Sequence, residues 1–190
     1  MKPLLLALDI GNVCIYVDHR NFATALGLPE IPTAAREIFR DYECGTIAGE
    51  EDFFNRLSEV FNRQYSLEQL KKAFNDILIS PVPGMTDLVN DFAKIGVKAV
   101  FFSDISPTHL RRTGELFDAF NAVSGGTFSF VSGAWKPTNA MFEYFEQHYG
   151  IPDLYVDDRE ELISAARKRG WNAHRFISAE DLRKKLPDAG

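Results

Sequence analysis

The sequence predicts an α/β fold in which helices cover both faces of a parallel sheet and a block of helices follows the first strand. Three short apolar runs, each closed by acidic or hydroxyl side chains, indicate strands of the sheet. Segments with the apolar spacing of helices alternate with these runs, which is typical of a parallel sheet. One long segment near the N-terminus breaks the alternation and contains helical patterns only.

The strands are predicted where apolar residues follow one another without a polar face, as in strands that are buried on both sides. The runs and the polar residues that close them are 4–8 with Asp9, 97–102 with Ser103 and Asp104, and 154–156 with Asp157 and Asp158. Gly11 and Asn12 follow the first run and indicate that it is a strand that ends in a loop, and not part of a helix.

Helices of the α/β part are predicted from one-sided apolar spacing, and each is followed by a glycine, a residue that commonly ends a helix. They cover 85–95, 137–149 and 159–169.

The segment 16–81 contains no convincing strand and is predicted to be a helical insertion. Its helical patterns cover 19–26, 33–42, 53–61 and 67–78. Ser66 and Gln69 form a capping box at the start of the last helix. We therefore predict an α/β core of 1–15 and 82–190 and a helical cap of 16–81.

Composition limits the classes of function. The chain has 190 residues, enough for one domain with an insertion, and 21 basic against 27 acidic residues give a net charge of −6. This balance argues against a nucleic-acid partner but leaves small anionic substrates open, because these respond to the local field of a pocket. Cys14 and Cys44 are expected to be reduced thiols in a cytoplasmic protein, and neither a signal peptide nor a membrane segment is predicted.

The polar residues that close the strands predict a site at one edge of the sheet, because ligands of parallel sheets bind beyond the carboxyl ends of the strands. Clustered carboxylates repel one another unless a cation lies between them, and oxygen ligands suit Mg²⁺. Lys136 precedes Pro137 at a predicted helix start, where a cation opposes the helix dipole. An anion held by this lysine and the helix amide groups would explain the arrangement, and an exposed surface lysine is the alternative.

Taken in order, these residues resemble the four motifs of the haloacid dehalogenase (HAD) superfamily, over essentially the whole chain. The four segments that carry the resemblance are 9–13, 102–104, 136–137 and 155–159. The resemblance implies a Rossmann-like HAD fold, and the insertion and the segment 43–45 are similar to the helical cap of one HAD class. The first motif is most similar to that of bacterial sugar-phosphate phosphatases of the glucose-1-phosphatase kind.

The resemblance also implies roles for individual residues. Asp9 would be a nucleophile that forms an aspartyl-phosphate, and Lys136 would offset negative charge on the phosphoryl group. Ser103 and the main-chain amide of Asp104 would hold phosphate oxygens. The implied Mg²⁺ ligands are Asp9, the main-chain carbonyl of Gly11, and Asp158, with Asp157 as a further candidate.

The sequence departs from the family pattern at two positions. Hydrolytic members usually carry a second Asp two positions after the nucleophile, as general acid and base, and Gly11 stands there. Asp18, His19 and Glu43 are the nearest candidates for a substitute. Leu162 stands where the fourth motif often has an acidic or amide residue that orients the metal ligands.

The expected function is that of a Mg²⁺-dependent phosphatase that acts on a small phosphorylated metabolite. A second hypothesis is a pseudoenzyme or phosphate-binding protein that has lost turnover with the second Asp. A third is a 2-haloacid dehalogenase, for which a metal-binding acidic pair would serve no purpose. The sequence names neither the substrate nor the oligomeric state.

Overall fold

The computed structural model describes residues 4–185 and contains a five-stranded sheet flanked by helices, which confirms the predicted fold class. All neighbouring strands of this sheet run parallel. In spatial order the strands are Gly126–Phe128 (β5), Lys98–Ser103 (β4), Leu5–Leu8 (β1), Leu154–Asp157 (β6) and Ala173–Arg175 (β7). The first strand of the chain is therefore the central one, and β4 and β6 lie on either side of it.

Four helices lie between β1 and β4 within the predicted insertion: Arg20–Ala25 (α1), Thr33–Glu43 (α2), Glu50–Val60 (α3) and Leu67–Asn75 (α4). The capping box predicted for α4 is present, because Ser66 accepts a hydrogen bond from the Gln69 amide and Gln69 accepts one from the Ser66 amide. The remaining helices are Met85–Lys94 (α5), Pro107–Leu116 (α6), Ser129–Ser132 (α7), Asn139–Tyr149 (α8), Glu160–Lys168 (α9) and Ala179–Arg183 (α10). In the described part of the chain, none of the helices has the length and apolar character that crossing a membrane requires.

The expectation that the segment 16–81 contains no strand is wrong. Ile15–Val17 (β2) and Leu78–Pro81 (β3) pair antiparallel at its two ends. The pair is only three to four residues long, and half of the Ile79 side chain is exposed, so neither the length nor the pattern of a strand is visible in the sequence. The predicted domain boundaries, 1–15 with 82–190 and 16–81, stay a prediction.

The sheet separates two apolar clusters. Along β1, Leu6 and Leu8 belong to one cluster while Leu5 and Ala7 belong to the other, as the alternation of side chains along a strand requires. The first cluster extends into the insertion, where it includes the buried rings of Phe39, Phe53 and Phe74. The insertion and the sheet therefore share buried apolar surface.

Helix α6 also joins the insertion to the sheet through polar contacts. The ring of buried His109 stacks on Phe74 with ring centres 3.9 Å apart, and its Nε2 lies 2.9 Å from the Phe74 carbonyl oxygen. Thr108 lies 2.8 Å from the Tyr42 hydroxyl and donates to Glu50. These contacts fix the insertion over the edge at which β4 ends.

Candidate active site

The polar residues that close β1, β4 and β6 meet at one edge of the sheet, as predicted from the carboxyl ends of the strands. They border a cavity of about 350 Å³. Its lining residues are Asp9, Gly11, Asn12, Val17, His19, Glu43, Ser103, Asp104, Trp135, Lys136, Asp158 and Arg159. The residues that the resemblance implies for catalysis, phosphate binding and metal binding therefore lie at one cavity, except the further candidate Asp157, which is buried behind it.

Lys136 is the central cation of this site. Its side chain has no exposed surface, and its Nζ lies 2.9 Å from Asp9 Oδ1 and 2.6 Å from Asp157 Oδ2. Burial opposes the charged form, but these carboxylates hold the pKa of the Lys136 ammonium well above its usual range. The amine is therefore charged and joins the end of β1 to the end of β6.

The position of Lys136 differs from the prediction that placed it at a helix start. Helix α8 begins at Asn139, and the side chain of Thr138 accepts a hydrogen bond from the Met141 amide as its N-terminal cap. The carboxylates of Asp9 and Asp157, rather than the first turn of the helix, contact the lysine amine. Lys136 therefore does not oppose the helix dipole, and the alternative of an exposed surface lysine is wrong as well, because the side chain is buried.

The carboxyl of Asp9 is almost completely buried. Burial and the neighbouring Asp157 raise its pKa to about 6, against the opposing effects of Lys136 and a hydrogen bond from Ser103. The main chain holds the residue in place, because its amide donates to the Val156 carbonyl at 3.0 Å. A carboxylate with little hydration and a fixed orientation suits a nucleophile.

The carboxylate of Asp157 already has several hydrogen-bond donors around it. Its carboxylate accepts hydrogen bonds from Lys136 Nζ, from the Tyr155 hydroxyl at 2.5 Å and from the Arg159 amide at 3.0 Å. Asp157 was a further candidate for a metal ligand, and these bonds favour a different task. It orients the lysine and balances its charge.

Asp158 has a more open environment. Its side chain accepts a hydrogen bond from Asn12 Nδ2 at 3.2 Å, and burial together with Asp157 raises its pKa. Asn12 is held in a left-handed conformation with φ of 53°, and its Oδ1 accepts from the Val17 amide. The loop after β1 thus directs a polar side chain toward Asp158, and Gly11 lies in the same loop.

These residues fit a divalent cation. Asp9, Asp157 and Asp158 each offer an oxygen within 4.8 Å of the others. With Asp104, four carboxylates lie near three cations, Lys136, Arg159 and Arg175, so the negative groups outnumber the positive ones at this edge. Because Asp157 is occupied, the carboxylates that would hold a hard cation such as Mg²⁺ are Asp9 and Asp158.

Asp104 holds the lysine segment with its side chain. Its Oδ1 accepts from the Lys136 amide at 2.9 Å, and its Oδ2 accepts from Arg159 Nη2 at 3.3 Å. Only its main-chain amide was predicted to matter, so this bridging role was missed. Arg159 was missed as well, although it directly follows the acidic pair at the end of β6.

The insertion contributes Val17, His19 and Glu43 to the cavity wall. Asp18, a candidate for the missing acid, is not among the lining residues, and Arg20 binds it with a contact of 2.7 Å. The hydrogen bonds from Arg20 lower the pKa of the Asp18 carboxyl to about 2. The structure thus separates Asp18 from Glu43, which sequence reasoning had placed together.

A second, larger cavity of about 700 Å³ lies between α1 and α2 and shares His19 and Glu43 with the first. Its walls combine apolar side chains with the arginines of both helices. The other lining residues are Arg20, Ala23, Thr24, Leu28, Pro29, Glu30, Ile31, Arg36, Phe39 and Arg40. The shared residues place this space directly beside the predicted phosphate site.

Several solved structures with the same fold are described as HAD family or HAD-like proteins. A predicted HAD-like family hydrolase from Porphyromonas gingivalis has a TM-score of 0.79 at 18% identity, over 99% of this chain and 100% of that chain. A HAD family enzyme from Bacteroides thetaiotaomicron, in complex with magnesium and inorganic phosphate, has a TM-score of 0.78 at 19% identity, over 97% of this chain and 100% of its own. No protein-family model and no curated protein matches the sequence.

The fold of the chain is therefore that of HAD-like hydrolases. An L-2-haloacid dehalogenase from Xanthobacter autotrophicus, with chloropropionic acid covalently bound, shares the fold at a TM-score of 0.62 and 15% identity, over 97% of this chain and 82% of that chain. Identities this low establish the fold, and the chemistry has to be argued from the site.

Proposed function

We propose that this protein is a Mg²⁺-dependent phosphatase that hydrolyses a small phosphorylated metabolite through an aspartyl-phosphate on Asp9. The observation that carries the proposal is the buried Lys136 amine between Asp9 and Asp157, beside the half-buried carboxylate of Asp158. This arrangement offers a nucleophile, a cation and a second carboxylate for a metal around one cavity. The fold relative from Bacteroides thetaiotaomicron that holds magnesium and inorganic phosphate supports the same chemistry.

Phosphoryl transfer depends mainly on positioning and on balancing charge, and the residues of the cavity provide both. A carboxylate oxygen of Asp9 attacks phosphorus, and the bond between phosphorus and the ester oxygen breaks. Lys136 and the polar groups of Ser103 and Asp104 hold the phosphoryl oxygens. Bound Mg²⁺ would supply positive charge to those oxygens and to the carboxylates of Asp9 and Asp158.

A phosphatase assay with and without Mg²⁺ tests this function directly. We expect the wild type to release phosphate from 4-nitrophenyl phosphate with Mg²⁺ and to lose this activity with a chelator. Asp9→Asn should lower turnover to a few per cent or less while the melting temperature stays close to that of the wild type, because an amide is a poor nucleophile toward phosphorus. Asp87→Asn, the same change at an exposed position of α5 outside the cavity, is the control and should keep the turnover of the wild type.

The same preparations discriminate the other hypotheses. Release of halide from a 2-haloacid without added metal would indicate a dehalogenase. Tight phosphate binding without turnover would indicate a phosphate-binding protein, and either result would overturn the proposal.

A further inference from the structure

We propose that Glu43, at the end of helix α2 in the insertion, is the general acid and base of the reaction and takes the place of the Asp that is missing at position 11. This inference rests on the proposed phosphatase function and adds the group that protonates the leaving alcohol. The usual position is closed to this chemistry because Gly11 has no side chain.

The position of Glu43 suits the task. It lines both the catalytic cavity and the larger cavity between α1 and α2, so it stands where a phosphate ester would pass from one space into the other. Among the described residues 4–185, its carboxyl has no hydrogen-bond or ion-pair partner, whereas both carboxylate oxygens of Asp104 accept hydrogen bonds, from the Lys136 amide and from Arg159. A carboxyl group without a partner at this junction is available to a substrate oxygen.

The main chain around Glu43 is fixed by the sheet. The buried hydroxyl of Ser129, in α7 after β5, donates a hydrogen bond to the Glu43 carbonyl at 2.6 Å. The Ser129 hydroxyl oxygen also accepts a hydrogen bond from the Ile105 amide at 2.9 Å. Ile105 directly follows Asp104, so one hydroxyl connects the end of α2 to the loop after β4. Glu43 therefore has a defined position relative to the predicted phosphate site.

Gly45 shows how closely this segment approaches the sheet. It adopts φ of 77°, and a Cβ atom there would lie 2.4 Å from the Phe130 carbonyl oxygen. Only a glycine allows this approach, because a side chain would push the segment away from α7. The glycine two positions after Glu43 thus permits the docking that brings the carboxyl to the cavity.

The electrostatic environment keeps the acid protonated. Partial burial of the carboxyl and repulsion by Asp104 raise the pKa of Glu43 to about 8, against the opposing effect of Arg40. Glu43 is also the last residue of α2, where the negative end of the helix dipole disfavours a carboxylate. A proton is therefore present at neutral pH for transfer to a leaving group.

The other titratable groups nearby suit the task less well. Burial lowers the pKa of His19, so its imidazole is neutral and holds no extra proton at neutral pH. Asp18 is ionised and bound by Arg20. Arg40 and Arg159 are permanently charged cations and do not exchange protons in this range.

The two half-reactions balance around Glu43. As Asp9 attacks phosphorus, the bond to the ester oxygen breaks, and the Glu43 carboxylic acid gives its proton to that oxygen, which leaves as an alcohol. Water then attacks the aspartyl-phosphate, and the Glu43 carboxylate takes a proton from this water. The bond between phosphorus and Asp9 breaks, phosphate leaves, and both side chains return to their starting states.

The experiment compares two esters of similar size, phenyl phosphate and 4-nitrophenyl phosphate, in single-turnover measurements on the full chain with Mg²⁺. Nitrophenolate leaves readily as an anion, whereas phenolate depends more on a proton. Glu43→Gln should slow phosphoryl transfer from phenyl phosphate by about 10²–10⁴-fold, the usual contribution of a general acid, and transfer from 4-nitrophenyl phosphate much less. Glu37→Gln, the same change at an exposed position of α2, should leave both rates unchanged.

Two further results would not follow from a merely structural role. Aspartyl-phosphate should accumulate in Glu43→Gln after a burst of about one nitrophenolate per protein, because the base for the second step is missing. The double variant Gly11→Asp with Glu43→Gln should transfer the phosphoryl group from phenyl phosphate at least tenfold faster than Glu43→Gln alone. The side chain has room, since a Cβ at Gly11 would have no contact closer than 3.7 Å, to Val17.

The outcomes separate the two proposals. If the wild type hydrolyses neither ester with Mg²⁺, the phosphatase function itself is wrong. If it hydrolyses both and Glu43→Gln matches Glu37→Gln, the phosphatase stands and Glu43 is not the acid. Should Glu43→Gln fail to fold, the wild-type pH profile decides, because turnover of phenyl phosphate should fall above about pH 8, and a flat profile up to pH 9 would overturn the proposal.

Discussion

At the scale of single residues, the central charged side chains of the site are buried. Lys136 has no exposed side-chain surface, and it compensates two buried carboxylates, Asp9 and Asp157. A buried ion pair adds little net stability, because desolvation offsets the attraction, but the loss of one partner leaves an uncompensated charge. The arrangement therefore favours an orienting role, in which the lysine is fixed before any substrate binds.

Replacement of Lys136 should show how strongly the stability of the fold depends on this buried positive charge. Lys136→Met keeps the length of the side chain and removes the charge, and we expect the free energy of unfolding at pH 7 to fall by about 3–5 kcal/mol. Part of this loss should return as the pH is lowered toward 5, because protonation of Asp9 and Asp157 relieves their repulsion. Urea unfolding at both pH values measures the effect, and Lys94→Met, at an exposed position of α5, is the control. An equal loss at pH 7 and pH 5 would contradict this account.

Sequence reasoning at this scale succeeded where a residue closes a continuous apolar strand. Asp9 and Asp158 follow such strands, Ser103 is the last residue of one, and the parallel pairing of the strands brings the three residues together. Glu43 could be placed only as one of several candidates, because its position depends on the docking of α2 through Ser129 and Gly45. Contacts of that kind join distant parts of the chain and leave no local pattern.

At the scale of elements, α6 connects the sheet to the insertion, and buried His109 is its main polar contact there. Burial lowers the pKa of the imidazole to about 4, against the opposing hydrogen bond to the Phe74 carbonyl. A folded-state pKa below the unfolded value of 6.5 means that the neutral form is required for folding. The contribution of neutral His109 to the free energy of unfolding is complete above pH 6.5 and is lost as the pH falls from 6.5 toward 4.

We therefore expect the wild type to lose about 2 kcal/mol of unfolding free energy between pH 7 and pH 5 through this residue. His109→Phe keeps an aromatic ring for stacking on Phe74 and should lack this part of the pH dependence, although it loses the hydrogen bond. His148→Phe, at the exposed end of α8, should keep the wild-type slope. Identical slopes for wild type and His109→Phe would remove His109 as the cause.

Sequence reasoning missed the short strands and three helices, α6, α7 and α10. β5 and β7 have three residues each, too few to show the pattern of a strand in the sequence. Such strands are stabilised by pairing with β4 and β6 and not by their own pattern. The longer helices α3, α5 and α9 were predicted to within a few residues, because each buries one face along several turns.

At the scale of the whole molecule, the fold gathers four carboxylates and three cations at one sheet edge, and a bound cation should stabilise the folded protein. A ligand that binds only the folded state stabilises it by about 2.7 kcal/mol at one hundred times its dissociation constant. Millimolar Mg²⁺ should therefore raise the melting temperature of the metal-free protein. Ca²⁺ should act less strongly if the site has the small octahedral geometry of a magnesium site.

The variant that tests this dependence is Asp158→Asn, which keeps the size of the side chain but removes the charge that would face the ion. We expect it to abolish the rise in melting temperature with Mg²⁺ and to change the metal-free melting temperature little, because Asp158 is half-buried and carries a repelled charge. Asp153→Asn, an acidic residue outside the acidic cluster at the sheet edge, should respond to Mg²⁺ as the wild type does. A wild-type melting temperature that does not change with millimolar Mg²⁺ would contradict a metal site at this edge of the sheet.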